Sequence, residues 1–380
     1  VLQGTRQRVR EFSSNLSLPT LLIYSLGILL PLVFVVILPV LSVIDLQVGL
    51  VQIALIYCVV LPLLVHLLSS NVLSKRPVIF QQLDHSIEPN WWHSAVKALA
   101  VSVPAPILCF WFAPAPDVTT LAGLWGIGLG LSAFLYFDSA PGYRRREEIV
   151  QMEREFSDAL MQLGNRVSEG RPAEAALEHV AAAMSGSKIA QVFRAASTNV
   201  RLGGMGLRAA LFEESRGALR LVGSSMIRGT LKMLLDLIEK STRTAGEAIL
   251  RTAQHLRELN EAKEEMRRSM AEVVTSMRAV AIFFAPLIVS IAARLQGLLS
   301  EKIPSLDLFP TTGISPAAFL FVLGLYTIIL TIILTNYVVE IELGGDRLAK
   351  RMAVASAVPV ALVVFTVGAI LGGQMVDFLF

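Results

Sequence analysis

This sequence is poor in charge. Only 17% of its 380 residues are Asp, Glu, Lys or Arg, and the formal net charge is +3. So small an excess gives no electrostatic footprint for a nucleic-acid partner. Cysteine is nearly absent: Cys58 and Cys109 both lie in apolar runs, where a thiol is a small buried hydrophobe. They imply neither a disulfide framework nor a zinc site. Five histidines and no clear Ser/His/Asp arrangement leave little material for nucleophilic catalysis. A phosphate-binding loop is missing too. The nearest run, residues 223–230 (GSSMIRGT), has no lysine after its second glycine and the wrong spacing, and it reads as a helix start. The sequence thus implies no ATPase of its own, no catalytic residues, no cofactor and no metal.

What it has in abundance is apolar length, with 54% hydrophobic residues. Seven stretches approach the roughly 20 residues that cross a bilayer: 18–43, 48–68, 95–112, 119–137, 279–299, 317–339 and 352–371. The third and fourth are short and carry prolines in or beside them. Connections 44–47, 113–118 and 300–315 carry almost no Lys or Arg. The others are basic: Arg6, Arg8 and Arg10, then Lys75 and Arg76, then Arg144, Arg145 and Arg146, then Arg347, Lys350 and Arg351. Basic connections stay in the cytoplasm. The two kinds alternate through all seven spans, so the expected topology has the N-terminus cytoplasmic and the C-terminus outside. Trp91 and Trp92 stand where an interfacial aromatic anchor belongs.

Residues 138–278 differ from the rest, with 22 Lys/Arg against 19 Asp/Glu. Phe156, Leu160, Leu163 and Val167 follow i, i+4, i+7, i+11 and mark one face of a helix. Breaks are expected at residues 170–172, 185–187, 203–206 and at Gly217. The last helix, from about Thr244, is highly charged and leads into the fifth span. Within this insert one small pattern occurs twice: Gly170 precedes Leu177 by seven residues, and Gly204 precedes Leu211 by seven, each leucine following two alanines. Each glycine would close one helix in a left-handed cap, with a new helix starting shortly after. The insert therefore reads as a cytoplasmic helical bundle of related hairpins.

A larger repeat lies in the spans. ILLPLVF at 28–34, around Pro31, resembles FFAPLIV at 283–289, around Pro286; AVSVPAPIL at 100–108 resembles VASAVPVAL at 354–362. The order of elements matches as well, so spans one to three look like copies of spans five to seven. Since the last three follow the bundle, the first three would follow an earlier bundle. The chain opens on Val1 and a basic stub, residues 1–17, and the expectation is that this stub ends a missing copy.

These features resemble the type II secretion system F family, most closely in EFSDALMQLGNRVSEGRPAEAALEHVA at 155–181. The tail ELGGDRLAKRMAVASAVP at 342–359 is similar to that of archaeal members, which carry the module twice. The bundle likeness covers about 146–277. The resemblance implies an all-α polytopic membrane protein: a stub at 1–17, four spans within 18–137 around a cytoplasmic loop near 69–94, the bundle at 138–278, and three spans within 279–380. It further implies a non-enzymatic platform in the cell membrane under a type IV pilus, archaellum or secretion assembly, working as a small homo-oligomer. Its partners would be a hexameric assembly ATPase, pilin-like subunits and membrane lipid. The residues expected to face the ATPase are Arg144, Arg145, Arg146, Arg347, Lys350 and Arg351; Gly170, Leu177, Gly204, Leu211, Pro31 and Pro286 are expected to be structural.

Other classes have partial signals in the sequence. LGGD at 343–346, with Asp138, invites comparison with intramembrane aspartyl (prepilin-type) peptidases, which need two carboxylates sharing a proton. Leu343 breaks that motif, and both aspartates fall at span ends. His85, Glu88 and His93 could form a zinc set, although a polar juxtamembrane segment explains them. A transporter or channel would place ionisable groups inside its spans; here Lys97, Arg294 and Asp377 lie near span ends, where their side chains could snorkel.

Overall fold

A computed structural model describes residues 16–43, 49–74, 91–104, 106–107, 116–220, 222–302 and 315–379. Among these, all regular structure is helical. In chain order the helices are α1 (17–43), α2 (50–73), α3 (Trp91–Ser102), α4 (Pro116–Ser168), α5 (Ala173–Ala183), α6 (Lys188–Gly203), α7 (Leu207–Phe212), α8 (Ser225–Ile238), α9 (242–302), α10 (Pro316–Leu343) and α11 (Arg347–Leu379). Arg6, Arg8, Arg10, Lys75, Arg76, His85, Glu88 and Cys109 lie outside the described residues, as do the side chains of Trp91 and Asp377.

Among the described residues six helices are long and apolar enough to cross a membrane: α1, α2, α4, α9, α10 and α11. The expected span at 95–112 is not among them. Of that stretch the structure describes residues 95–104 and 106–107, the first eight of them within α3. α3 ends at Ser102, two residues before Pro104, which disfavours helix in the residue before it.

The chain divides into two compact units, one containing the described residues up to Pro141 and from Arg267 on, the other Gly142–Met266. In the first unit α1 packs on α2, α9 packs on α10, and the pairs meet as α1 on α9 and α2 on α10; α11 covers α9 and α10. The two pairs are thus used in the same way.

Three π turns shape this unit: Ser25–Leu29, Ile56–Val60 and Val280–Phe284. Each ends two residues before a proline, namely Pro31, Pro62 and Pro286. A proline inside a helix has no N–H and its ring crowds the carbonyl four residues back. Widening the turn by one residue relieves that crowding. Accordingly Leu30, Leu61 and Ala285 bond five residues back, to Ser25, Ile56 and Val280. Pro31 leaves the Gly27 carbonyl without its usual helical donor. The Tyr326 hydroxyl of α10 supplies one at 2.5 Å, and the Tyr57 hydroxyl of α2 donates to the Pro31 carbonyl at 2.8 Å. The approach is close because Gly27 has no side chain; a Cβ there would sit 3.0 Å from Leu330. Tyr326→Phe should lower stability by about 1 kcal/mol, the scale of interhelical hydrogen bonds in membranes. Unfolding of the full chain in mixed micelles measures this, and an unchanged midpoint would refute the capping role.

In the Gly142–Met266 unit, the face anticipated on α4 is buried: Phe156, Leu160, Leu163 and Val167 pack with Leu177, Val180, Phe193, Leu231 and Ile249. Ser187 caps α6 and Ser224 caps α8, their hydroxyls accepting from the N–H groups of Ala190 and Ile227. The GSSMIRGT run is therefore a capped helix start. Gly170 and Gly204 both adopt positive φ, +84° and +60°, and Leu177 and Leu211, seven residues on, are both buried. Only glycine takes that conformation without cost.

Arg208 of α7 donates to Asp236 at 2.5 Å and to Glu239 at 3.0 Å on and just beyond α8. The hydrogen bond from Arg208 holds the Asp236 carboxyl below its usual range. A carboxylate depressed in the folded state stabilises it above the unfolded pKa, and that contribution is lost as pH falls through the lowered folded value. Acidification below about pH 4 should therefore weaken the α7–α8 tie. Arg208→Gln should flatten that part of the stability-versus-pH curve; equal slopes in both proteins would refute it.

Candidate functional site

The six basic candidates fall into different environments. Arg144 and Arg145 are exposed on α4, and Arg146 is half-buried with its guanidinium 5.6 Å from the centre of the Tyr143 ring. Arg347 is exposed at the first residue of α11. Neither Arg144, Arg145 nor Arg347 has an ion pair among the described residues. Lys350 and Arg351, one turn further on, are engaged internally. Lys350 pairs with Glu340 at the end of α10. Arg351 donates to Asp138 of α4 at 2.7 Å.

That second cluster belongs to a larger charged collar. Glu342, also in the last turn of α10, accepts from Arg278 of α9 at 2.8 Å and pairs with Arg267 at 3.5 Å. Asp346 caps α11, its carboxylate accepting from the Ala349 N–H at 3.0 Å. Gly344, at φ +79°, turns the chain from α10 to α11 within three residues. This sharp reversal sets Glu340 beside Lys350. The collar therefore ties α4, α9, α10 and α11 together in the first compact unit.

A second charged contact lies at the other end of these helices. Arg294 of α9 does not snorkel away. It donates to Asp117 of α4 at 2.6 Å and to the Ala369 carbonyl of α11 at 2.9 Å. Asp117 and Asp138 are 21 residues apart on α4, about 32 Å at 1.5 Å per residue. The hydrocarbon core of a bilayer is about 30 Å thick. The two sets of ion pairs are thus spaced as interfacial charges on either side of a membrane would be. Between them Trp125 donates to Thr366 at 3.0 Å, linking α4 to α11. Lys97 of α3 lies 5.5 Å from the centre of the Phe137 ring, a cation–π contact.

The remaining sequence candidates carry no assembled chemistry. Asp138 is committed to Arg351 and Asp346 to a helix cap, neither arrangement being a shared-proton pair of carboxylates. His93, of the zinc-like trio, is exposed on α3, and no group of three metal-ligating side chains occurs among the described residues. Sequence reasoning missed Glu340, Glu342 and Arg278. One signal was available, since Arg267 and Arg278 are 11 residues apart and so share a helix face. Their common partner is set by the tertiary fold.

No family model, curated protein or solved structure matches the chain.

Proposed function

We propose that this chain is a membrane platform of the type II secretion system F kind, on which a cytoplasmic hexameric ATPase acts to insert or extract pilin-like subunits. The observation that carries the reading is the continuity of α4 and α9, each of which begins in one compact unit and ends in the other. Two unbroken helices give a motor acting on the bundle a covalent route into the spans. The hairpins closed by Gly170 and Gly204 and the paired use of α1–α2 and α9–α10 support it. In this reading the bundle is cytoplasmic, a seventh crossing runs through the α3 region, and the protein sits in the cell membrane as a homo-oligomer. Arg144, Arg145 and Arg347 become the foremost motor contacts, because Lys350 and Arg351 are already paired.

The test reconstitutes the full chain in nanodiscs with the assembly ATPase of the same host. Saturable binding with altered ATP turnover is the expected result, weakened in R144E/R145E/R347E. Full affinity in a normally inserted triple variant would reject those contacts. Absence of binding to the native chain would reject the platform itself.

A further inference from the structure

We infer that Glu342 is a releasable latch that fixes the rotation and axial position of the 267–279 segment of α9. One carboxylate holds two arginines: Oε2 accepts from Arg278 at 2.8 Å, and Oε1 pairs with Arg267 at 3.5 Å. The arginines are 11 residues apart on one face, about 16 Å along the axis. They reach toward each other to meet at Glu342. The segment also buries Met270, Val274 and Met277; to that apolar face the arginines add two polar contacts whose attachment points lie far apart along the axis, and these oppose sliding.

Two observations make this a latch rather than a rivet. None of the three side chains is buried, with 25% of Glu342, 36% of Arg267 and 54% of Arg278 exposed. Groups that stay hydrated when parted separate at little cost. The Arg351–Asp138 pair is the contrast, since the Asp138 side chain is only 4% exposed. Secondly, the π turn Val280–Phe284 and Pro286 follow Arg278 directly. Such turns are where helices bend and where their register shifts. The gripped segment therefore ends at a joint. While Glu342 holds, the joint is immobilised against α10; when it lets go, the segment can turn about Val280–Phe284. This device acts within one compact unit and does not depend on the platform reading.

The test measures spin-label distances in nanodiscs, with labels at T275C and S356C in a C58A/C109A background. Both label sites are exposed. The unaltered latch should give one narrow distance population. E342Q should add a second one, and the charge-swapped R267E/R278E/E342R should restore the single population. An E342Q distribution superimposable on the parent would overturn the inference. So would a folded swap that stays heterogeneous. If neither E342Q nor the swap folds, Glu342 is a folding rivet and the latch is equally overturned.

Discussion

Arg351→Met should destabilise the protein by about 3 kcal/mol, the low end of the range for stranding a buried charge. The figure follows from asymmetry within the pair. Arg351 is 47% exposed and Asp138 only 4% exposed on its side chain. The arginine loses little when it is replaced, but the carboxylate left behind cannot reach water. Its second oxygen, Oδ1, is buried and has no hydrogen-bond partner among the described residues, so the Arg351 contact at Oδ2 is what neutralises it. Asp138→Asn removes the buried charge and should cost much less. The double variant R351M/D138N should recover most of the loss, because replacing both members of a buried pair is often close to neutral. Denaturant unfolding of the four proteins in one detergent completes the cycle. Equal losses for R351M and R351M/D138N would mean that Arg351 acts through packing alone. The same variants bear on the peptidase alternative: a D138N chain that retains full biological activity leaves that reading without its second acid.

How much of this could be read in advance depends on whether the cause is local. The positive φ at Gly170 and Gly204 is a local demand, and spacing from glycine to leucine betrayed it. Periodicity fixed the buried face of α4, because Phe156 to Val167 needs only one packed side. Prolines were visible, and each π turn stands a constant distance before one, but Pro141 and Pro359 lie within α4 and α11 and carry no π turn. Proline alone therefore does not dictate the widening. The compact unit Gly142–Met266 lies inside the charged stretch 138–278 of the sequence. Asp138 and Arg267–Arg278 look like solvated charges in sequence, yet their partners, Arg351 and Glu342, lie in the spanning unit. Ion pairing across 64 to 213 positions has no signature in one sequence.

Two glycines should respond to alanine with opposite signs. Gly229 is exposed within α8, and a Cβ there meets nothing within 4 Å. Gly229→Ala should stabilise by about 1 kcal/mol, the intrinsic difference in helix propensity. Gly246, near the start of α9, gains the same propensity but has no room. Its Cβ would lie 2.6 Å from the Ser168 nitrogen and 2.7 Å from the Ser168 Cα, at the end of α4. Those are backbone atoms, so no rotamer change relieves them. Gly164 of α4 stands in the same contact, 2.9 Å from Leu250 by the same measure. Small residues on both helices let the end of α4 and the start of α9 approach this closely. Overpacking of such a contact costs up to about 3 kcal/mol, which outweighs the propensity gain and leaves a net loss of about 2 kcal/mol. If both variants instead raise the unfolding midpoint, the α4–α9 crossing is looser than its geometry states. If G246A alone loses stability while G229A gains it, the crossing is the tight joint of the bundle. The same variant then asks whether the tightness of this unit is felt in the other, since α4 and α9 each run from one to the other.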